Sequence, residues 1–244
     1  MTSIPNARSP HPFAGLSTLT PSRNLWAALL AVLAVTALLL PAPAHADDSE
    51  SMRRLKINLA SDDAEAVSLD VPVGEVEVEG TDGGQVVVRV ELNCNRPVKE
   101  RCRELARKVE LSSRNSGSTL QVELDGWPKN LNNSGLSADV NVHMPRQLAL
   151  RADLGVGEFE AIGLISDLSL DIGVGEATIR AREADVRRVN LEVGVGEAML
   201  RVRDRDIEGS GFIGRDLAWS DGPGKADLKV DCGVGEVDVR LDDE

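Results

Sequence analysis

From residue 67 onward apolar and polar residues alternate in short runs, and each run is interrupted by the same kind of step. Val67, Leu69, Val71 and Val73 form one run, and Leu148, Leu150, Ala152, Leu154 and Val156 form the next. Leu168, Leu170, Ile172 and Val174, then Val189, Leu191, Val193 and Val195, then Leu228, Val230, Cys232 and Val234 complete the set. A period of two places such side chains on one face of a strand. Beyond each run the alternation resumes with opposite parity: Val76 and Val78; Phe159 and Ala161; Ala177, Ile179 and Ala181; Ala198, Leu200 and Val202; Val237, Val239 and Leu241. A flat strand would turn this second set outward. Between the halves stands Gly-Val-Gly-Glu, at 155–158, 173–176, 194–197 and 233–236, with a fifth copy at 72–75 in which Pro72 replaces the first Gly. Glycine permits the positive φ of a corner, so Gly74, Gly157, Gly175, Gly196 and Gly235 are predicted to bend the chain and keep both halves pointing inward.

The motif glutamates stand 83, 18, 21 and 39 positions apart, and the last step equals the two before it together, so an eroded copy is expected within 198–232. A unit of about twenty residues cannot bury its apolar side alone, whereas stacked units form a continuous aliphatic column. The expected fold is all-β, a single-stranded β-solenoid of stacked coils with glycine corners. Residues 81–147 read as a strand-helix-strand elaboration that caps one end of the stack, with strands over 85–93 and 118–124. Val98, Cys102, Leu105 and Val109 trace one helical face between these strands, and Pro97 suits the helix's first turn. Residues 126–135 form a loop, and Val140, Val142 and Met144 lead back to the repeats.

The N-terminal part changes the picture of where the protein resides. Residues 25–40 are apolar and uncharged, follow a leader carrying Arg8 and Arg23 but no acid, and precede Pro41, Pro43, Ala44 and Ala46. Sixteen residues at about 1.5 Å each fall short of a hydrocarbon core of roughly 30 Å. Residues 1–46 are therefore read as a signal peptide cleaved after Ala46, leaving 47–244 as one domain with no membrane span, periplasmic or secreted. The formal charge of −13 argues against nucleic acid or anionic lipid as a partner. With three Phe, three Trp and no Tyr in the whole chain, packing falls to Val, Leu, Ala and Gly.

VSLDVPVGEVEVEG, VNVHMPRQLALRADLGVGEFEAIG and LSLDIGVGEATIRA resemble the bacterial adhesin-type domain of the toast-rack family, over roughly residues 55–244. The resemblance implies a β-solenoid of an envelope-associated protein and supplies no catalytic residue. It implies an exported, non-catalytic binding or structural role, with an envelope polymer or another envelope protein as partner. The alternative is a carbohydrate-active enzyme on the same scaffold.

The residues themselves offer little catalytic chemistry. Gly-Val-Gly precedes a strand in every copy, where a phosphate site needs a helix N-terminus. His143 is the one His after residue 46 and alternates on a strand, so Ser-His-Asp and His-based metal sites lack parts. Two carboxylates could hydrolyse a glycoside, but every repeat carries acids and none is singled out. Trp219 is read as local core, while Trp127, in a polar loop, is open between core and sugar stacking. Asn132-Asn133-Ser134 matches a glycosylation acceptor, a motif common by chance. Cys94 and Cys102 are expected to bridge strand to helix, and Cys232 to fill an inward slot as a small hydrophobe. Acids five positions before each motif Glu, at Asp70, Asp153, Asp171, Glu192 and Asp231, join Glu75, Glu158, Glu176, Glu197 and Glu236 in two outward columns. Arg180, Arg201 and Arg240, each four residues after a motif Glu, are expected to offset them. The competing use is weak Ca²⁺ binding, favoured at Asp70, Glu75, Asp153 and Glu158, where no such Arg follows. No other cofactor is expected.

Overall fold

The computed structural model describes residues 49–95, 99–129, 135–210 and 214–243. The strands are β1 (Ser49–Ala60), β2 (Ala66–Thr81), β3 (Gln85–Asn95), β4 (Glu110–Ser116), β5 (Thr119–Asp125), β6 (Leu136–Pro145), β7 (Ala149–Ile162), β8 (Leu168–Arg182), β9 (Val186–Val202), β10 (Arg205–Glu208), β11 (Arg215–Trp219) and β12 (Ala226–Asp242). Among the described residues one α-helix, α1 (Lys99–Ala106), joins β3 to β4, and a single 3-10 turn at Glu183–Asp185 joins β8 to β9. All twelve strands belong to one mixed sheet, ordered β1-β3-β6-β2-β7-β8-β12-β9-β10, with β5 also on β2, β4 on β5 and β11 on β9. The all-β expectation stands at this level.

The centre of the sheet is parallel: β2 on β7, β7 on β8, β8 on β12 and β12 on β9. Gly74, Gly157, Gly175, Gly235 and Gly196 face one another across these ladders, with φ between 141° and 154°. Burial changes parity there. In β8, Leu168, Leu170 and Ile172 are buried before the glycine, and Ala177 and Ile179 after it. Side chains from both halves of every parallel strand join one core. A Cβ at Gly175 would collide with the carbonyl oxygen of Gly157. The first glycine of the motif is outside the ladder and lacks positive φ, but a Cβ at Gly155, Gly173, Gly194 or Gly233 would collide with a neighbouring carbonyl oxygen. Pro72 is accommodated where β2 pairs with β5 only up to Asp70 and with β6 only from Gly74.

The order of strands departs from a sequential solenoid. After β8 the chain leaves one strand width free, lays down β9, and fills the gap with β12 at the end. No eroded copy lies in 198–232. That stretch forms β10 and β11, antiparallel to the two halves of β9, which they cover at the sheet margin. The long step in motif spacing is a there-and-back excursion.

The predicted elaboration at 81–147 also resolves differently. β5 pairs with the first half of β2 and β6 with its second half, both parallel. Together they match the two halves of a further copy of the repeat, with residues 126–135 standing in sequence where the corner would be. β3 and β1 extend the second half of the sheet antiparallel to β6. β1, with Leu55, Ile57 and Leu59 packed against the core, was not foreseen, nor was polar β4. α1 is shorter than the apolar face suggested: Val109 is buried beyond its end, while Pro97 and Val98 lie outside the described residues. Cys94 and Cys102 form a disulfide with a Cα separation of 5.8 Å. The Arg53 guanidinium donates to the carbonyls of Arg107 (3.2 Å) and Val109 (2.6 Å), tying β1 to the end of α1. The proposed signal peptide and Asn132-Asn133-Ser134 also lie outside the described residues.

Candidate functional site

The corner places three residues of each parallel strand outward in a fixed order: an acid, a valine and the motif glutamate. Val73, Val156, Val174, Val234 and Val195 are paired in register across the five strands. The last four expose 42%, 47%, 46% and 54% of their surface, whereas the other Val and Leu side chains among the described residues are largely buried. At about 4.8 Å per strand the stripe runs roughly 19 Å.

An acidic ladder lies on each side of the stripe. On one side Asp70, Asp153, Asp171, Asp231 and Glu192 follow one another, extended by Glu123 on β5 and Asp216 on β11. On the other side Glu75, Glu158, Glu176, Glu236 and Glu197 follow, extended past Glu75 by Asp139 on β6 and Glu91 on β3. The sequence reading missed these four extensions, although two carried a signal. Leu120-Gln121-Val122-Glu123 has the pattern of Val67-Ser68-Leu69-Asp70, and Ala138-Asp139-Val140 that of Gly74-Glu75-Val76. Their separation by residues 126–135 hid the match.

Like charges directly opposite across strands are unfavourable. Carboxylates about 4.8 Å apart repel by roughly 0.9 kcal/mol even at the dielectric constant of water. Asp70 and Glu75 register this repulsion. Both reach solvent, yet partial desolvation first, and then the charges of Asp153 and Glu123, raise the Asp70 carboxyl above its ordinary range. Glu75 is raised by partial desolvation and then by Asp139, Glu158, Glu77 and Glu160. The expected arginine compensation takes another form. Arg180, Arg240 and Arg201 are paired with one another across strands and lie on Glu160 (3.7 Å), Asp238 (2.6 Å) and Asp206 (2.6 Å), not on the motif glutamates. Among the described residues no motif glutamate has an ion pair or side-chain hydrogen bond. In the other ladder, Asp231 receives Lys229 at 2.7 Å.

Asp70 with Asp153 and Glu75 with Glu158 are cross-strand neighbours. No cluster of three or more His, Cys, Asp or Glu side chains with metal-holding geometry occurs among the described residues. His143 is half-buried, with Nδ1 3.0 Å from Glu79 Oε2. Cys232 is free and buried, opposite Ile172 and Val193, and burial pushes its thiol upward. Trp219 is 6% exposed and part of the core, while Trp127 is half-buried against it.

Fold and surface together define an all-β protein with one mixed sheet, whose most regular exposed feature among the described residues is an apolar stripe between carboxylate ladders. Residues 46–201 match the N-terminal domain of toast_rack, DUF2154, and the chain belongs to that family. β10, β11 and β12 lie beyond the matched segment. No curated protein matches the chain. Among solved structures it is similar to a "putative cell adhesion protein" from Clostridium sporogenes at 17% identity and TM-score 0.48, covering 78% of this chain and 99% of that one. It is similar to a "putative lipid binding protein" from Parabacteroides distasonis at 12% identity and TM-score 0.29, covering 80% and 67%. It is also similar to a "putative adhesin" from Bacteroides fragilis at 7% identity and TM-score 0.25, covering 78% and 98%. No helix among the described residues is long and apolar enough to cross a membrane.

Proposed function

We propose that this protein is an exported, non-catalytic, adhesin-like module of the bacterial envelope whose parallel strands act as the coils of a β-solenoid. Its contact face is the corner ridge. The observation that carries this reading is the in-register valine stripe flanked by two carboxylate ladders, of which the five motif glutamates have no ion pair among the described residues. Exposed valines contribute apolar contact area, and unneutralised carboxylates select the charge of what lies beside them. The partner is an extended basic segment of an envelope protein or a cationic envelope polymer, laid along the stripe. The proposed export route removes residues 1–46, and a disulfide suits an oxidising compartment. Intact mass of the exported protein tests that cleavage.

Capture of envelope fractions on immobilised protein tests the ridge. Val174→Asp with Val234→Asp should abolish capture, and capture should weaken as salt rises. Salt-independent capture that survives both substitutions would remove the ridge from the mechanism. Weak Ca²⁺ binding at Asp70, Glu75, Asp153 and Glu158 is the competing use of the same carboxylates.

A further inference from the structure

The opposite end of the second half-sheet carries a different arrangement. A cleft of about 620 Å³ lies over β1, β3, β6 and β2, lined on its outer face by Arg54, Lys56, Arg89, Glu91, Asp139, Asn141, Glu75 and Glu77. Its volume is that of a small-ligand site. Its charge is sorted by strand: cations stand on β1 and β3, and carboxylates on β6 and β2, with Glu91 on β3 bound internally.

Most charged groups here are accounted for within the chain. Arg54 holds Glu91 in a two-point contact, Nε to Oε2 at 3.0 Å and Nη2 to Oε1 at 3.2 Å, and this keeps the Glu91 carboxyl below its ordinary range. Asn93 donates to Asp139 at 2.6 Å, and Asn141 donates to Glu77 at 2.9 Å. Lys56 and Arg89 differ. They are direct cross-strand partners, both exposed, and neither has an ion pair or side-chain hydrogen bond among the described residues. Elsewhere Arg114, Arg146, Arg187, Arg201 and Arg240 each lie on a carboxylate within 3.0 Å. Two facing, unneutralised cations on a chain of net charge −13 are as conspicuous as the unpaired motif glutamates, and they have the opposite sign.

The row that contains them continues through Asn141 to Glu77, so Arg89 and Glu77 stand two strands apart, about 10 Å between backbones. Charges anchored that far apart suit a ligand whose own two charges are well separated, and three extended residues at about 3.4 Å each span a similar length. We propose that this cleft binds a short zwitterionic peptide, with its carboxylate on Lys56 and Arg89 and its amine against Glu75 and Glu77. Asn141, midway, offers an amide to the peptide backbone. The raised Glu75 carboxyl fits this polarity, since an ammonium beside it relieves repulsion from Asp139, Glu77, Glu158 and Glu160. The site shares Glu75 with the ridge's glutamate ladder, but Lys56, Arg89 and the cleft over β1 and β3 lie outside the valine stripe.

Isothermal titration of the full chain at low ionic strength with triglycine, N-acetyl-triglycine and triglycine amide tests it. Triglycine should bind saturably, and blocking either end should weaken binding at least about tenfold, equivalent to 1.4 kcal/mol. Lys56→Gln with Arg89→Gln should reduce triglycine to the affinity of the amide while leaving the amide unchanged. Glu75→Gln with Glu77→Gln should do the same relative to the N-acetyl peptide. Melting curves verify that the variants are folded, and Lys56→Gln alone gives a milder version of the first test. Absence of saturable binding up to about 10 mM, equal binding of the blocked peptides, or unchanged binding by folded variants would each overturn the assignment.

Discussion

The two ends of the parallel stack bear the same ladders under different conditions. Near β2, Glu75 is surrounded by Glu77, Glu158, Glu160 and Asp139, and its proton is held more tightly than usual. Near β9, the row two residues beyond the motif glutamates is Thr178, Asp238 and Met199, and the next is Arg180, Arg240 and Arg201. The same corner therefore tolerates both surroundings. A sheet built on backbone ladders and an aliphatic core accepts a like-charged row on its outside, and the neighbouring rows decide how much of that charge is answered within the chain.

The largest expected effect ignores the difference between the ends. Gly157→Val near β2 and Gly235→Val near β9 each place a Cβ on a neighbouring carbonyl oxygen, at φ of 148° and 151°. Each should cost about 3 kcal/mol or more in thermal or denaturant melting. Parental melting of either variant would mean that its end does not need the glycine. Next is the staple beyond β2: Cys102→Ser should cost about 2.5 kcal/mol, because the bridge closes a short loop of the unfolded chain. Hydrogen exchange in β9 and β12 should change less than in β3 and α1, and a uniform loss of protection would mean that the ends unfold as one.

A smaller effect sharpens the contrast itself. Asp70 and Glu75 bind protons more tightly folded than unfolded, so their contribution to stability is fully present below the ordinary carboxylate range and is lost as pH rises through their raised folded values. Glu91 and Asp227 run the other way, each lowered first by the hydrogen bond from its arginine, and their contribution is lost as pH falls through the lowered values. Glu75→Gln should thus raise stability at neutral pH by a few tenths of a kcal/mol and flatten the acid side of the profile, while Glu176→Gln should do less. Equal gains would erase the distinction between the ends. Smallest of all, millimolar Ca²⁺ should shift the melting temperature no more than NaCl of equal ionic strength. A larger shift that Glu75→Gln removes would assign the β2 end to a cation.

The half-strands, their parity change and the outward acids could be read directly, because a period of two and a repeated glycine are local properties of a chain. Pairing is not local. Nothing between Arg182 and Val186 states that β9 must skip a strand, and equal spacing made 198–232 look like a lost repeat when it is a reversal. The split copy, β5 with β6, was obscured because ten residues without the motif stand in the sequence where Gly-Val-Gly-Glu would be. The cleft was invisible for a related reason: Lys56, Arg89 and Glu77 become neighbours only through three separate pairings.

The position of β12 also bears on the time course of synthesis. A chain emerging from its N-terminus completes β8 and β9 well before the residues that will lie between them exist. Until Ala226–Asp242 is released, two parallel edges stand open, β8 toward β9 and β9 toward β8. The final segment therefore acts as a keystone. Loss of Ala226–Asp242 would part β9, with β10 and β11, from β8, and a nascent chain has two edges able to take up β12 from another copy before its own arrives.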